Sequence, residues 1–256
     1  MTTHRLPLLA PLLATAIAGC PDQAVEQRAR GNIHLKAGRV DEALTAYTAA
    51  IQAAPDHAGG HFLLGNALQE AGRTPAAIRE YEEALRLGPD ATPPRRELGI
   101  ALFHAGRHDE ARAHFEAVLE RDPTDVFTMN RLAEAYAARA ETGPAEAMLT
   151  SVLQRHPDNR NARLTRARMR TTAGDLDGAL ATLQDLRRLD PAAAYVAYEI
   201  AAVRLARGER VEAMRELTAA LQDTGGDGRR KVREDTRFRS LAGVPEFEAL
   251  VGIVSP

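Results

Sequence analysis

Histidines are the side chains of this sequence best suited to chemistry, because imidazole binds metal ions and exchanges protons near neutral pH. The chain has eight of them, and two pairs are four residues apart, His57 with His61 and His104 with His108. Glycines lie inside both pairs, so neither pair is expected to share one face of a helix. The sequence also lacks the HExxH, GxSxG, Walker and GxGxxG motifs. We therefore predict no metal site, no cofactor site and no catalytic residue.

Cys20 is the only cysteine of the chain, and it follows an apolar run over residues 6–18. The run is too short to span about 30 Å of hydrocarbon and is typical of a signal-peptide core. Residues Ile17–Cys20 resemble a bacterial lipobox. The resemblance implies that residues 1–19 are a removed signal peptide and that residues 20–23 form a short tether. It also implies that a lipid on Cys20 anchors the protein to the inner or the outer membrane of a bacterial envelope, facing the periplasm. An ordinary cleaved signal peptide and a cytosolic protein without a leader are the alternatives.

Five prolines recur at intervals of 34 residues, and a fixed period of this length is typical of stacked repeats. They are Pro55, Pro89, Pro123, Pro157 and Pro191. When each proline is given place 32 of its repeat, place 8 always holds a small residue: Gly31, Gly65, Gly99, Ala133, Ala167 and Ala201. Place 20 is always alanine. Place 24 holds Tyr47, Tyr81, Phe115, Leu149, Leu183 and Leu217.

This pattern resembles the tetratricopeptide repeat family, whose unit of 34 residues is a helix–turn–helix with small residues at places 8 and 20. The resemblance implies an all-α fold, a right-handed superhelical solenoid of about six such repeats with a C-terminal capping helix. The repeats are expected at residues 24–57, 58–91, 92–125, 126–159, 160–193 and 194–227, and the cap at residues 228–256. In the sixth repeat Gly225 stands in place of the proline.

Glycine at place 15 is expected to make the turn between the two helices in five of the repeats. In the fourth repeat Ala140 takes that place, and the break is expected to move to residues 142–144. In the first repeat, helical spacing predicts that Ile33 and Leu44 face neighbouring helices. After the repeats, the basic residues 229–231 indicate a solvated linker, with contact to anionic lipid or to a partner as the alternative.

The charge of the chain is nearly balanced, with 33 lysines and arginines against 35 acidic residues, so no nucleic-acid partner is expected. In the family, the first helix of each repeat lines a concave groove that binds a protein or peptide. The residues of this chain that match the groove places include Arg28, Asn32, Phe62, Asn66, Arg96, Phe127, Asn130, Arg131, Arg168, Tyr195 and Tyr198. Asn32 and Asn66 take the same place in successive repeats, and a side-chain amide both donates to and accepts from an extended peptide backbone.

The resemblance therefore implies a non-enzymatic scaffold for a protein or peptide partner, with a layout similar to the lipoprotein pilotins of type IV pili. Pro93 and Glu97 stand where the family's carboxylate clamp needs basic residues, which argues against recognition of a C-terminal carboxylate. Two alternatives remain open within the envelope. One is an adaptor for cell-wall or exopolysaccharide enzymes, and the other is a groove that acts as an enzyme or binds a metal or a carbohydrate.

Overall fold

The computed structural model of the protein describes residues 21–222 and 226–252, and these residues form helices without any strand. The predicted signal peptide, the lipobox, Cys20, Gly225 and the last four residues of the cap lie outside the described residues. The α-helices are α1 (Pro21–Lys36), α2 (Val40–Ala53), α3 (Ala58–Glu70), α4 (Thr74–Leu87), α5 (Thr92–His104), α6 (His108–Leu119), α7 (Val126–Ala138), α8 (Thr142–Arg155), α9 (Arg160–Thr172), α10 (Leu176–Leu189), α11 (Ala194–Ala206), α12 (Arg210–Leu221), α13 (Gly226–Glu234) and α14 (Pro245–Val251). A 3-10 helix, Thr236–Leu241, lies between α13 and α14.

The chain divides into two compact units, one ending at Gly106 and the other beginning at Arg107. The first unit contains α1 to α5, and each helix packs against the next. The second unit contains α6 to α14, and α6 to α12 again pack in chain order. The prediction of an all-helical protein built from consecutive helix pairs is confirmed. Because α1 begins at Pro21, residues 21–23 of the predicted tether belong to a helix.

The helix pairs are held together by contacts between places 8 and 24 of the same repeat. The buried ring of Tyr47 lies so close to Gly31 that a Cβ atom on this glycine would be 2.4 Å from Cε1 of the ring. In the fourth repeat Ala133 and Leu149 are both fully buried in one apolar cluster. A glycine at place 8 thus packs against an aromatic ring at place 24, and an alanine at place 8 is paired with a leucine at place 24. The small residues predicted at place 8 leave room for the side chain at place 24.

The turn of the fourth repeat differs from the prediction. Five turn residues are glycines with a positive φ angle, and Ala140 adopts the same left-handed conformation, with φ 59°. The amide of Glu141 donates to the carbonyl of Tyr136 at 2.9 Å, as the amide of Arg73 donates to that of Leu68 at 2.8 Å in the second repeat. The expected shift of the break to residues 142–144 is therefore wrong. The hydrogen bonds of the turn hold Ala140 in the left-handed conformation that glycine adopts in the other turns.

Ile33 of α1 is 62% exposed, which contradicts its predicted contact with neighbouring helices. Within the described residues no helix precedes α1, so nothing covers the outer face on which Ile33 lies. Leu44 is buried in α2 as expected. The periodicity identified the helix but did not distinguish its covered face from its open one.

The segment after α12 packs onto the sixth helix pair. Val232 of α13, Phe238 of the 3-10 helix and Phe247 of α14 join one buried cluster with Leu217 and Leu221 of α12. The basic residues 229–231 lie within α13, so the predicted linker is wrong at this point. The buried Val232 explains the difference, because it anchors a helix whose charged residues face solvent. Of the helices that the structure describes, none has the length and apolar character needed to cross a membrane.

Candidate functional site

Two asparagines of the first unit are bound in the same way by tyrosines of the same repeat. The hydroxyl of Tyr47 donates to Oδ1 of Asn32 at 2.7 Å, and the hydroxyl of Tyr81 donates to Oδ1 of Asn66 at 2.8 Å. Among the described residues, neither Nδ2 group has a hydrogen-bond partner. Each amide is therefore oriented by its oxygen, and its two N–H donors remain available to a ligand.

The local sequence explains this arrangement, because each asparagine follows the glycine at place 8. The ring of Tyr81 lies across Gly65, and its hydroxyl thereby reaches the side chain of the next residue. Burial raises the pKa of the Tyr81 hydroxyl, and the nearby charge of Glu97 raises it further. Burial also raises the pKa of Tyr47, assisted by Glu70. Both hydroxyls therefore stay protonated and act as donors at neutral pH.

Asn66 and Tyr81 line an open cavity of about 420 Å³ together with Gln69, Glu70 and Glu97. Burial raises the pKa of Glu97, and the neighbouring guanidinium of Arg96 partly opposes this effect. The cavity thus combines oriented amide donors with two carboxyl groups. Such a surface is suited to a polar ligand that offers acceptors to the amide and donors or positive charge to the carboxylates.

The other predicted residues of the first unit surround this cavity only in part. Phe62 is half-buried, and its ring centroid lies 6.1 Å from that of Tyr81. Nε of Arg96 lies 3.9 Å from Oε1 of Glu97. Arg28 is half-buried on α1, one turn before Asn32. The structure therefore brings Phe62, Asn66 and Arg96 near one another around Tyr81 and Glu97, and it places Arg28 and Asn32 on the first helix.

The predicted residues of α7 do not form one common site. Phe127 is 43% exposed, and the guanidinium carbon of Arg131 lies 5.4 Å from the centre of its ring. Asn130 is only 3% exposed, and its Nδ2 donates to Oδ1 of Asn159, the N-cap of α9, at 3.4 Å. Because the side chain of Asn130 is buried, a partner cannot contact it in this structure. Its predicted role as a groove residue is therefore wrong. The sequence did not show that its side chain links two repeats.

Two of the predicted residues, Arg168 of α9 and Tyr198 of α11, belong to a polar network that includes the C-terminal segment. The carboxylate of Glu199, of which 4% is exposed, accepts from Nε of Arg168 at 3.0 Å and from a terminal nitrogen of Arg237 at 2.8 Å. The hydroxyl of Tyr198 donates to Asp235, and burial together with this hydrogen bond raises the pKa of Tyr198 to about 12. Sequence reasoning missed Asp235 and Arg237, because nothing in the repeat pattern extends to the segment that contains them.

The first of the two histidine pairs, His57 and His61, has structural hydrogen-bond partners. Nδ1 of His57 accepts from the amide of Gly60 at 3.2 Å and caps α3. His61 is buried, with Nδ1 2.8 Å from Oε2 of Glu80 and Nε2 3.0 Å from the carbonyl oxygen of Pro55. Within residues 21–222 and 226–252, no group of three or more histidines, cysteines and acidic residues is placed to hold a metal ion.

The consecutive helix pairs, their glycine turns and their small residues at places 8 and 20 define a protein of the helical repeat class. Two family models described as tetratricopeptide repeat match the chain, one over residues 28–92 and 64–126 and the other over residues 102–169 and 138–197. Together they cover residues 28–197, about two thirds of the sequence. The chain belongs to the tetratricopeptide repeat family.

Several solved structures share this fold at low sequence identity. A tetratricopeptide repeat protein from Parabacteroides merdae has a TM-score of 0.72 at 15% identity, covering 91% of this chain and 98% of its own. PilW, a type IV pilus biogenesis factor, has a TM-score of 0.69 at 17% identity, covering 85% and 97%. A thermophilic tetratricopeptide repeat protein from Thermus thermophilus has a TM-score of 0.61 at 23% identity, covering 69% and 96%. No curated protein sequence matches the chain. The repeats and these neighbours support a protein–protein interaction scaffold.

Proposed function

We propose that the chain is a non-enzymatic scaffold whose first unit binds an extended peptide segment of a partner protein through Asn32 and Asn66. The observation that carries this proposal is the pair of tyrosine–asparagine hydrogen bonds, at 2.7 and 2.8 Å. Because each tyrosine occupies the amide oxygen, the N–H groups face a ligand without first losing a partner. Peptide carbonyls are the acceptors that such donors bind most readily, and an extended backbone presents them at regular intervals.

The cavity beside Asn66 adds a preference for the side chains of the peptide. Glu70 and Glu97 line its wall, and the half-buried Phe62 stands near Tyr81. A carboxylate-lined cavity attracts a basic or hydrogen-donating side chain, and the aromatic rings offer apolar contact to its methylene groups. The proposed partner segment is therefore extended and carries a basic or amide side chain next to the backbone that Asn66 binds.

The substitutions Asn32→Asp and Asn66→Asp test this proposal with little change of shape. Aspartate keeps an acceptor for each tyrosine hydroxyl but has no N–H donor. We expect the double variant to lose most of the partner that crosslinked co-purification recovers from native membranes with the wild-type protein. Asn161→Asp provides the control, because Asn161 is exposed on α9 and its substitution makes the same charge change as each of the two single substitutions. Equal recovery of the same partner by all three proteins would contradict the proposal.

The same proposal includes a location in the bacterial envelope, with a lipid on Cys20 and the repeats facing the periplasm. The motif Ile17–Cys20 supports it, and assembly of an envelope structure is the process we propose, since PilW, which shares the fold, is a type IV pilus biogenesis factor. A Cys20→Ser variant should move from the membrane fraction to the soluble fraction or accumulate with its leader uncut. Mass spectrometry of the wild-type N-terminus should find an acylated Cys20. An unmodified N-terminus with identical fractionation of both proteins would instead favour a cytosolic adaptor.

A further inference from the structure

We propose that the second unit carries a separate binding site, a pocket between α11 and α13 that takes an apolar side chain from an acidic peptide segment. The pocket has a volume of about 390 Å³, within the range of about 300–1,000 Å³ that is usual for ligand sites. Most of its wall is apolar and includes Ala194, Tyr195, Ala220, Leu221 and Val232, and its charged lining includes the paired side chains of Arg168 and Glu199. The site is distinct from the amides of the first unit.

The wall of this pocket includes an exposed aromatic side chain. Tyr195 is 39% exposed, although tyrosines of the same chain such as Tyr47 and Tyr81 are fully buried. A rigid aromatic ring at the side of a concave apolar surface is a frequent anchor in protein recognition, since it gives much contact area at a low cost in conformational entropy. The exposed alanine beside it, Ala194, leaves the entrance open. A leucine or phenylalanine side chain of a partner fits such a pocket.

The lining of the pocket includes one cation without a carboxylate partner. This cation is Lys231, whereas Arg229 and Arg233 are exposed on another side of the same helix, α13. Among the described residues none of these three cations has a carboxylate partner. By contrast, Arg230 pairs with Asp227 at 3.2 Å, and Arg168 on the opposite wall is held by Glu199 at 2.5 Å. Lys231 is therefore the cation of α13 that the pocket offers to a carboxylate of a partner.

The shape of the site favours a peptide over the other polyanions that a basic helix attracts. A lipid surface presents many headgroups to a convex basic helix and needs no pocket with tyrosine walls. A peptide with one apolar side chain next to an acidic residue matches both features, because the apolar side chain fills the pocket and the acidic residue meets Lys231. This inference rests on the proposed scaffold function, because its ligand is again a peptide. The residues that bind this peptide, however, belong to the second unit.

The test measures fluorescence anisotropy with blocked nine-residue peptides. The panel places phenylalanine, leucine or alanine at the centre of aspartate and glutamate residues, and a matched set replaces the acidic residues by asparagine and glutamine. We expect the acidic peptides with a central phenylalanine or leucine to bind the wild-type protein at least about tenfold more tightly than every other peptide. An absence of this preference would overturn the proposal.

Two variants locate the binding on the protein. Ala194→Trp fills the pocket with an indole ring, and Lys231→Glu reverses the charge at its entrance. Each should weaken the acidic, apolar peptides by at least about tenfold. Lys36→Glu, at the only other lysine of the chain, and Ala113→Trp, at an exposed position of α6, are the matched controls and should bind as the wild type does. Binding that Ala194→Trp leaves unchanged would overturn the assignment to this pocket.

The outcomes also separate this proposal from the one for the first unit. If the Asn32→Asp, Asn66→Asp protein lost the partner but still bound the peptides at α13, the two sites would be shown to bind independently. Vesicles that contain anionic lipid serve as the competing probe. The peptide proposal would be overturned if the vesicles bound in a manner that depends on Lys231 and the peptides showed no preference for a central apolar residue. Lys231 would then be assigned to contact with a membrane surface.

Discussion

The ring of Tyr81 lies against Gly65, so closely that a Cβ atom on the glycine would be 2.5 Å from Cε1 of the ring. Real Cβ atoms do not approach a neighbour to this distance, so any larger residue at Gly65 forces the ring to move. The fifth repeat meets the same requirement with a different pair, since Ala167 and Leu183 are both buried in one apolar cluster. The sizes of the residues at places 8 and 24 are therefore coupled within a repeat.

Gly65→Ala should destabilise the protein by about 1–3 kcal/mol, because the added methyl group overpacks the contact with Tyr81. Tyr81→Leu alone should also destabilise it, since a shorter side chain leaves a cavity and removes the hydrogen bond to Asn66. The double variant recreates the alanine–leucine pair of the fifth repeat. We expect its loss of stability in urea unfolding to be at least about 1 kcal/mol smaller than the sum of the two single losses.

Tyr81→Phe separates the contribution of the hydrogen bond to stability from the contribution of ring packing. It keeps the ring over Gly65 but removes the donor to Asn66, so combining it with Gly65→Ala should give no compensation. Additive effects of Gly65→Ala and Tyr81→Leu would contradict the coupling and would mean that the helix pair relaxes around the larger residue.

The repeats were predictable because their period of 34 residues repeats a physical requirement, a small residue opposite a large one. Other features were not predictable. The repeat register places Ala140 at the turn position, but alanine rarely adopts a left-handed conformation, and the hydrogen bonds of the turn decide that it does so here. The burial of Asn130 depends on a side chain of the next repeat. The contact between Glu199 and Arg237 joins residues outside the repeat register.

Ala140→Gly should stabilise the protein by up to about 1 kcal/mol. The left-handed conformation of Ala140, with φ 59°, costs a residue with a Cβ atom about 1–2 kcal/mol, and the greater freedom of glycine in the unfolded chain cancels part of the gain. Urea unfolding of the protein, followed by circular dichroism, measures the change. Ala113→Gly on the exposed face of α6 is the control, and it should destabilise by about 0.5–1 kcal/mol. A loss of stability in both variants would contradict the strain assigned to Ala140.

Glu97→Gln should change how stability depends on pH. Burial raises the pKa of Glu97 in the folded protein, so the folded state holds this proton more firmly than the unfolded state does. The contribution of Glu97 to stability is therefore present at low pH and is lost as the pH rises through its folded pKa. The variant should resemble the wild type near pH 4 and exceed its stability at pH 7. Glu82→Gln at an exposed position of α4 controls for the loss of one surface charge. A variant less stable than the wild type at pH 7 would contradict this sign.

Glu199→Gln should loosen the C-terminal segment. The side chain of Glu199 is 4% exposed and receives guanidinium hydrogen bonds from Arg168 and Arg237. Glutamine keeps the shape but loses the charge and one acceptor, and hydrogen bonds to a charged group contribute about 1.5–3 kcal/mol each. We expect a loss of about 1–3 kcal/mol in urea unfolding and faster cleavage by trypsin in α13, because the segment that covers α11 and α12 detaches more often.

Glu209→Gln is the matched control for Glu199→Gln. Glu209 also binds two arginines, with contacts of 2.8 Å to Arg204 and 2.7 Å to Arg207, but its side chain is 29% exposed. Water screens this pair, so the control should cost less than about 1 kcal/mol and should leave the trypsin cleavage rate in α13 unchanged. If both variants lost the same stability, the loss would depend on the number of arginine contacts and not on the burial of the carboxylate. A larger loss at Glu199 together with faster cleavage of α13 would show that the buried carboxylate holds the C-terminal segment onto the sixth helix pair.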